Sequence, residues 1–165
     1  MNYPANELEI DYTTNLFTLD NIDIANHISQ MMVGNHIIHK NRFYVWDGTI
    51  WKQEALGFYL FYYIHRNGVY NMYRSIEEYQ IANGHNIPKS ISKKIQYIGR
   101  PTRADRIARE LMKCENLKFQ GNFNANKDLV MYPNGLWDKS IGGYIENSKD
   151  YYINKLSFNE QNMED

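Results

Sequence analysis

The sequence predicts an α+β fold, a mostly helical single domain with small antiparallel β-hairpins. Three observations lead there. Apolar residues recur at helical spacing in several stretches, among them Ile24, Ile28, Met31 and Met32, and again Ala104, Ile107, Ala108 and Leu111. Two short runs, Phe43–Trp46 and Leu129–Tyr132, carry β-prone side chains and run directly into turn residues, Asp47-Gly48 and Pro133-Asn134-Gly135. The length, 165 residues, suits one domain, and a chain of that size buries roughly 68–70% of its unfolded surface without disulfide or metal staples.

Residues 1–20 show no sustained period and read as an N-terminal arm. The domain proper spans 21–160, and 161–165 reads as a frayed tail. Asp20 or Asn21 suits the N-cap of a helix over about 22–33, which Gly34-Asn35 ends. His36 to Arg42 is expected to be a connector. Phe43–Trp46 is a strand, Asp47-Gly48 a two-residue type I′ turn, and Thr49–Trp51 the returning strand, which sets Trp46 and Trp51 side by side. Ala55 to His65 is apolar and aromatic nearly all round and reads as a buried helix.

A helix over about 70–82 carries Tyr73, Ile76 and Tyr79, and Asn83-Gly84 ends it. His85–Pro88 is a loop. Ser90–Ile98 forms a helix with Ile91, Ile95 and Ile98 on one face. Arg100-Pro101-Thr102 starts the next helix, with Pro101 in the first turn and Thr102 and Asp105 as a capping box. Its inward stripe is Ala104, Ile107, Ala108 and Leu111, with Arg106, Arg109 and Lys113 opposite. Glu115 to Asp128 connects to the strand at Leu129. Leu136-Trp137 is a further extended piece, Gly142-Gly143 a turn, and Asp150–Ile153 extended or a short helical turn.

Net charge is −1 but unevenly placed. From Lys89 to Lys113 eight Lys and Arg face only Asp105 and Glu110, a local +6, so the remainder is acidic at −7. Lys93, Lys94, Arg100, Arg103, Arg106, Arg109 and Lys113 are therefore the candidate nucleic-acid contacts, since phosphate neutralisation dominates such affinity. Tyr97 lies among them and can stack on a base. The bland alternative is a basic surface helix that pairs with acidic groups of its own chain or of a neighbour.

Other chemistry finds little support. Gly84 to Ser90 faintly resembles a phosphate-binding loop, but Pro88 precedes the Lys, lacks an N–H, and the spacing is one residue short. His36-x-x-His39 offers two zinc ligands where a structural site takes four. Glu77-Glu78 are adjacent on a helix and point apart. No G-x-S-x-G, H-E-x-x-H or D-x-D occurs, so no catalytic constellation, metal or cofactor is implied. A single Cys114, no secretory leader and no apolar run near the ~20 residues that span a bilayer point to a cytoplasmic chain without membrane contact.

From Phe43 to Trp51 the sequence resembles the N-terminal accessory domain of phage and plasmid primase-helicases, a domain also found in the poxvirus primase-helicase. The shared W-D-G-x-x-W is Trp46 to Trp51, with a helix before it and helices after it. An Arg-rich helix follows, Arg103 to Lys113. Then come a lead-in, Asn122-Phe123-Asn124-Ala125-Asn126, a strand, Leu129–Met131, and an N-G-x-x-D turn, Asn134 to Asp138. Asp150 to Leu156 is similar to the family's D-Y-[IF]-T-K-x-L. The resemblance covers about residues 20 to 160. Trp137, Asn154 and Gly142-Gly143 depart from the family's usual small aliphatic residue, Thr and Thr-Gly-Glu.

The resemblance implies a replication role: a non-catalytic collar between a primase module and a hexameric superfamily 3 helicase, helping ring assembly and DNA positioning. The expected partners are single-stranded or primer-template DNA, a helicase domain or replication protein, and further copies of the chain in a ring. ATP hydrolysis and primer synthesis would belong to neighbouring modules. The rival reading is a stand-alone protein-interaction module that binds a replication protein without touching DNA.

Overall fold

The computed structural model describes residues 19–158. The expected tail at 161–165 and all but the last two residues of the expected arm lie outside the described residues. The fold class is α+β, with five α-helices and two three-stranded antiparallel sheets among the described residues. The chain divides into two compact units, each discontinuous in sequence: a helical unit from 19–34 and Ala55–Lys118, and a sheet unit from Asn35–Glu54 and 119–158.

The helical unit holds α1 (Asn21–Met32), α2 (Leu56–Arg66), α3 (Val69–Ala82), α4 (Lys89–Tyr97) and α5 (Pro101–Leu111). Helix α5 packs against both α1 and α2, α2 against α3, and α3 against α4. The expected stripes are the ones buried: Ile24, Ile28, Met31 and Met32 on α1, Ile91, Ile95 and Ile98 at α4, and Ala104, Ile107, Ala108 and Leu111 on α5. Helix α5 starts at Pro101, whose fixed φ and missing N–H suit a first turn. Its N-cap is Arg100, with no side-chain cap bond, so the expected Thr102/Asp105 capping box does not form. Thr102 already lies inside the helix, and Asp105 pairs with Arg109 instead.

Helix α2 departs from expectation in its outer face. Tyr59, Leu60, Tyr63 and Ile64 are buried, but Phe58 is 77% and Tyr62 62% exposed. An all-apolar run does not require burial all round: spacing of three to four residues selects the inward face, and aromatic composition here hides that period.

In the sheet unit, β1 (His36–His39), β2 (Arg42–Trp46) and β3 (Trp51–Glu54) form one sheet in that order, and β4 (Leu129–Tyr132), β5 (Gly135–Asp138) and β6 (Gly143–Ile145) the other. The stretch expected as a connector is thus strand β1 and a tight turn. His39 pairs with Arg42, leaving Lys40-Asn41 as the loop, with φ of +50° and +61°. Positive φ at both central residues is the type I′ signature. The loop at Asp47 is longer than expected: Trp46 pairs with Trp51, so four residues intervene and Thr49-Ile50 belong to the loop. Asp47 organises it, its Oδ1 accepting from the N–H groups of Thr49 at 2.8 Å and Ile50 at 2.9 Å. Gly48, at φ +97°, supplies the left-handed step. The expected Trp46–Trp51 neighbourhood holds, with ring centroids 5.7 Å apart.

Main-chain and side-chain bonds tie the two segments of this unit. Trp51 N–H donates to the Ile153 carbonyl at 2.8 Å, and Phe119 N–H to that of Ile38 at 2.8 Å. The buried Trp51 donates Nε1–H to the Lys149 carbonyl at 2.8 Å. Phe119 stacks on Tyr152 at 4.1 Å, and Tyr152 in turn on Trp51 at 5.8 Å. Under the second sheet Met131, Leu136 and Ile153 form a buried cluster, flanked by Ile50 and Leu156.

Candidate nucleic-acid interface

The seven candidate cations all lie in the helical unit, on α4, α5 and the turns that flank them. The buried isoleucines of α4 and the Ala104–Leu111 stripe of α5 fix the inward faces, so neighbouring basic positions are carried outward. The structure sorts these cations by what already holds them.

Two serve the fold. Lys94 Nζ lies 2.8 Å from Asp20 Oδ1. Arg103 is half-buried and donates Nη2–H to the Leu19 carbonyl at 2.8 Å, while its Nε is enclosed without a partner among the described residues. Burial pulls the Arg103 guanidinium below its ordinary range; Asp20 opposes that and Arg106 adds to it. Lys94, Arg103 and Arg106 share a cleft of about 380 Å³ with Asp20, Asn21 and Glu110, whose two carboxylates offset much of its positive charge.

Two more are held loosely. Arg109 pairs with Asp105 at 3.6 Å, with side chains 77% and 62% exposed, and Lys113 pairs with Glu110 at 3.3 Å. Exposed pairs of this kind contribute about 0–1 kcal/mol, so a phosphate can replace the carboxylate at small cost. The remaining three, Lys93, Arg100 and Arg106, make no ion pair with any described residue. Arg100 sits over the Tyr97 ring, 4.3 Å from its centroid. One face of that ring is therefore occupied by a guanidinium, and a base would stack on the other.

The helical unit also shows what composition hid. Phe58, Phe61 and Tyr62 of α2, with Gly57, Pro101 and Asp105, line a groove of about 430 Å³. The clue in the sequence was the run of aromatics itself, more than one helical face can bury.

The histidine pair carries no metal geometry. His36 is buried and stacks on Phe43 at 5.9 Å, while His39 Nδ1 lies 3.1 Å from the Phe119 carbonyl oxygen. Three residues apart on a strand, the two rings leave opposite faces. Among the described residues no group of three or more His, Cys, Asp and Glu is placed to hold a metal ion. Gly84 to Pro88 is a turn and loop that ends at Pro88, the N-cap of α4, and Lys89 and Ser90 lie in the first turn of that helix. Among the described residues no helix is long and apolar enough to cross a membrane. Comparison with protein-family models, with curated proteins and with solved structures gives no match.

Proposed function

We propose that this chain is a non-catalytic accessory domain of a mobile-element DNA-replication primase-helicase, contacting single-stranded or primer-template DNA through α4 and α5 and aiding helicase assembly in the cytoplasm. The observation that carries the reading is the +6 segment from Lys89 to Lys113, in which the buried stripes of α4 and α5 leave Lys93, Arg106 and Arg109 exposed to solvent, with Lys113 exposed in the turn just after α5. The order of the motifs from Trp46 to Leu156, which resembles that of the primase-helicase domain, supplies the replication context.

The test is single-stranded DNA binding by the full chain as salt is varied. Replacing Arg106, Arg109 and Lys113 by Ala is expected to weaken binding and flatten the salt dependence by about 2, at ~0.7 per neutralised phosphate on a single strand. Arg103 is left intact, because its bond to Leu19 would confound affinity with stability. Unchanged affinity at low salt removes the DNA reading.

A second reading, a protein-interaction module, is favoured by the exposed Phe58 and Tyr62. Sedimentation separates the two: self-association without DNA, together with no binding of an oligonucleotide, selects the second.

A further inference from the structure

We infer that the sheet unit carries its own phosphodiester-binding cleft, centred on Lys127 and Lys155. The inference rests on the reading that the chain meets nucleic acid, and not on α5 being the place where it does so. The cleft, about 310 Å³, lies between 124–131 and 153–157. Its polar lining is Asn124, Asn126, Lys127, Lys155 and Ser157, with no carboxylate. Asp128, the acid adjacent in sequence, does not line it.

This separates it from the basic cleft of the helical unit, where Asp20 and Glu110 sit among the cations. Lys127 and Lys155 are both exposed, and neither makes an ion pair with a described residue. Both lysines line one cleft, so an anion held there meets two cationic partners and no carboxylate. Lysine binds phosphate as a point charge on a flexible stem, so neither side chain need be fixed beforehand.

Both walls are held by hydrogen bonds. Asn124 and Asn154 bond each other across them, at 2.6 Å and 3.2 Å. Ser157 N–H donates to the Met131 carbonyl at 2.8 Å, next to a parallel bridge between Met131 and Leu156. Asn126 Oδ1 accepts from Asp128 N–H at 3.0 Å, and its Nδ2 has no partner among the described residues. The floor is apolar, formed by Met131 and Ile153. A cationic and amide rim over an apolar floor matches a nucleotide unit, which is anionic at phosphate and apolar on its sugar and base faces.

The test is titration of the full chain with a fluorescent single-stranded oligonucleotide, followed across salt concentrations. Lys127→Ala/Lys155→Ala is expected to bind about tenfold more weakly at low salt, with the slope shallower by about 1.4, at ~0.7 per phosphate lost. Lys127→Arg/Lys155→Arg is expected to restore both. Loss in this variant with no loss on replacing Arg106, Arg109 and Lys113 upholds the cleft and removes α5. Loss only in the α5 variant overturns the cleft and keeps the DNA reading. No binding by the unaltered chain overturns both. Competition by a poly-glutamate peptide as strong as by the oligonucleotide also overturns the assignment.

Discussion

Asn124 and Asn154 hold one another by both ends of a single side chain. Asn124 Nδ2 donates to Asn154 Oδ1 at 2.6 Å, and Asn124 Oδ1 accepts from the Asn154 backbone N–H at 3.2 Å. Asn124 N–H also donates to the Tyr152 carbonyl at 3.0 Å. Asn124 sits at φ +56° and Tyr152 at φ +49°, both left-handed. Asn tolerates that region; a bulky Tyr does so at a cost of order 1–3 kcal/mol, which its stacking against Phe119 and Trp51 helps offset. The two motif ends that sequence shows only as separate patterns are therefore one clasp.

Replacing Asn124 by Ala should destabilise the protein more than replacing its partner Asn154. Two hydrogen bonds and the left-handed tolerance go together, about 3 kcal/mol in all. Asn154→Ala leaves the backbone bond in place and should cost about half as much. Urea midpoints of the two variants check the order.

The Lys40-Asn41 turn predicts a gain. Lys at φ +50° carries a steric cost of about 1 kcal/mol that Asn largely avoids and Gly lacks. Lys40→Asn with Asn41→Gly creates the preferred type I′ pair, and should raise stability by about 1 kcal/mol, or roughly 2–4 °C in Tm. Unchanged or lowered Tm would mean that the ladder, not the turn, sets the strain.

That turn also explains what sequence could and could not reveal. Helices α1, α3, α4 and α5 were legible because their apolar spacing was clean and their ends carried Gly, Asn or Pro. Strand β1 was not, although His36 and Ile38 are buried while Ile37 and His39 are less so, a period of two. Its flanking histidines and the weak Lys-Asn turn masked it, and the stronger Asp47-Gly48 signal proved to be a side-chain-organised four-residue loop. Within the candidate site the basic run was visible at once. That Asp20 would hold Lys94, or the Leu19 carbonyl Arg103, depends on tertiary packing. Lys127 and Lys155 form no run in the sequence and come to line one cleft only in the folded chain.

Stability should fall as pH drops below about 6.5. Burial lowers the His27 pKa from its ordinary 6.5, with Nδ1 2.8 Å from the Tyr73 hydroxyl. The unfolded chain then binds more protons than the folded one between those two pKa values. The contribution is whole above 6.5, declines as pH falls toward the folded value, and levels off below it. His27→Gln should remove this part of the slope; Tyr73→Phe should keep it, because burial is its cause. Denaturation midpoints between pH 7.5 and 5 distinguish the variants.

Cys114 should resist alkylation in the folded protein. Its thiol is buried, with Sγ 3.6 Å from Asn26 Oδ1 and 3.7 Å from the Glu110 carbonyl, and burial pushes its pKa up. Both effects reduce accessible thiolate. A disulfide reagent at pH 8 should react at least about a hundredfold more slowly than in denaturant, because reaction waits on local opening.

The interleaving of the two units has a consequence for how the protein is made. Ribosomal synthesis delivers every residue of the helical unit by Lys118, while the sheet unit still lacks its second segment. At about 5–20 residues per second, β4 to β6 follow only seconds later. During that interval Tyr44 lacks the Phe123 ring, which packs 4.6 Å from its own, and Trp51 lacks the Ile153 and Lys149 carbonyls that accept its two N–H groups. The nascent protein therefore passes through a stage in which every helix has been made while the first sheet still lacks these partners, a stage of exposed apolar surface of the kind chaperones bind.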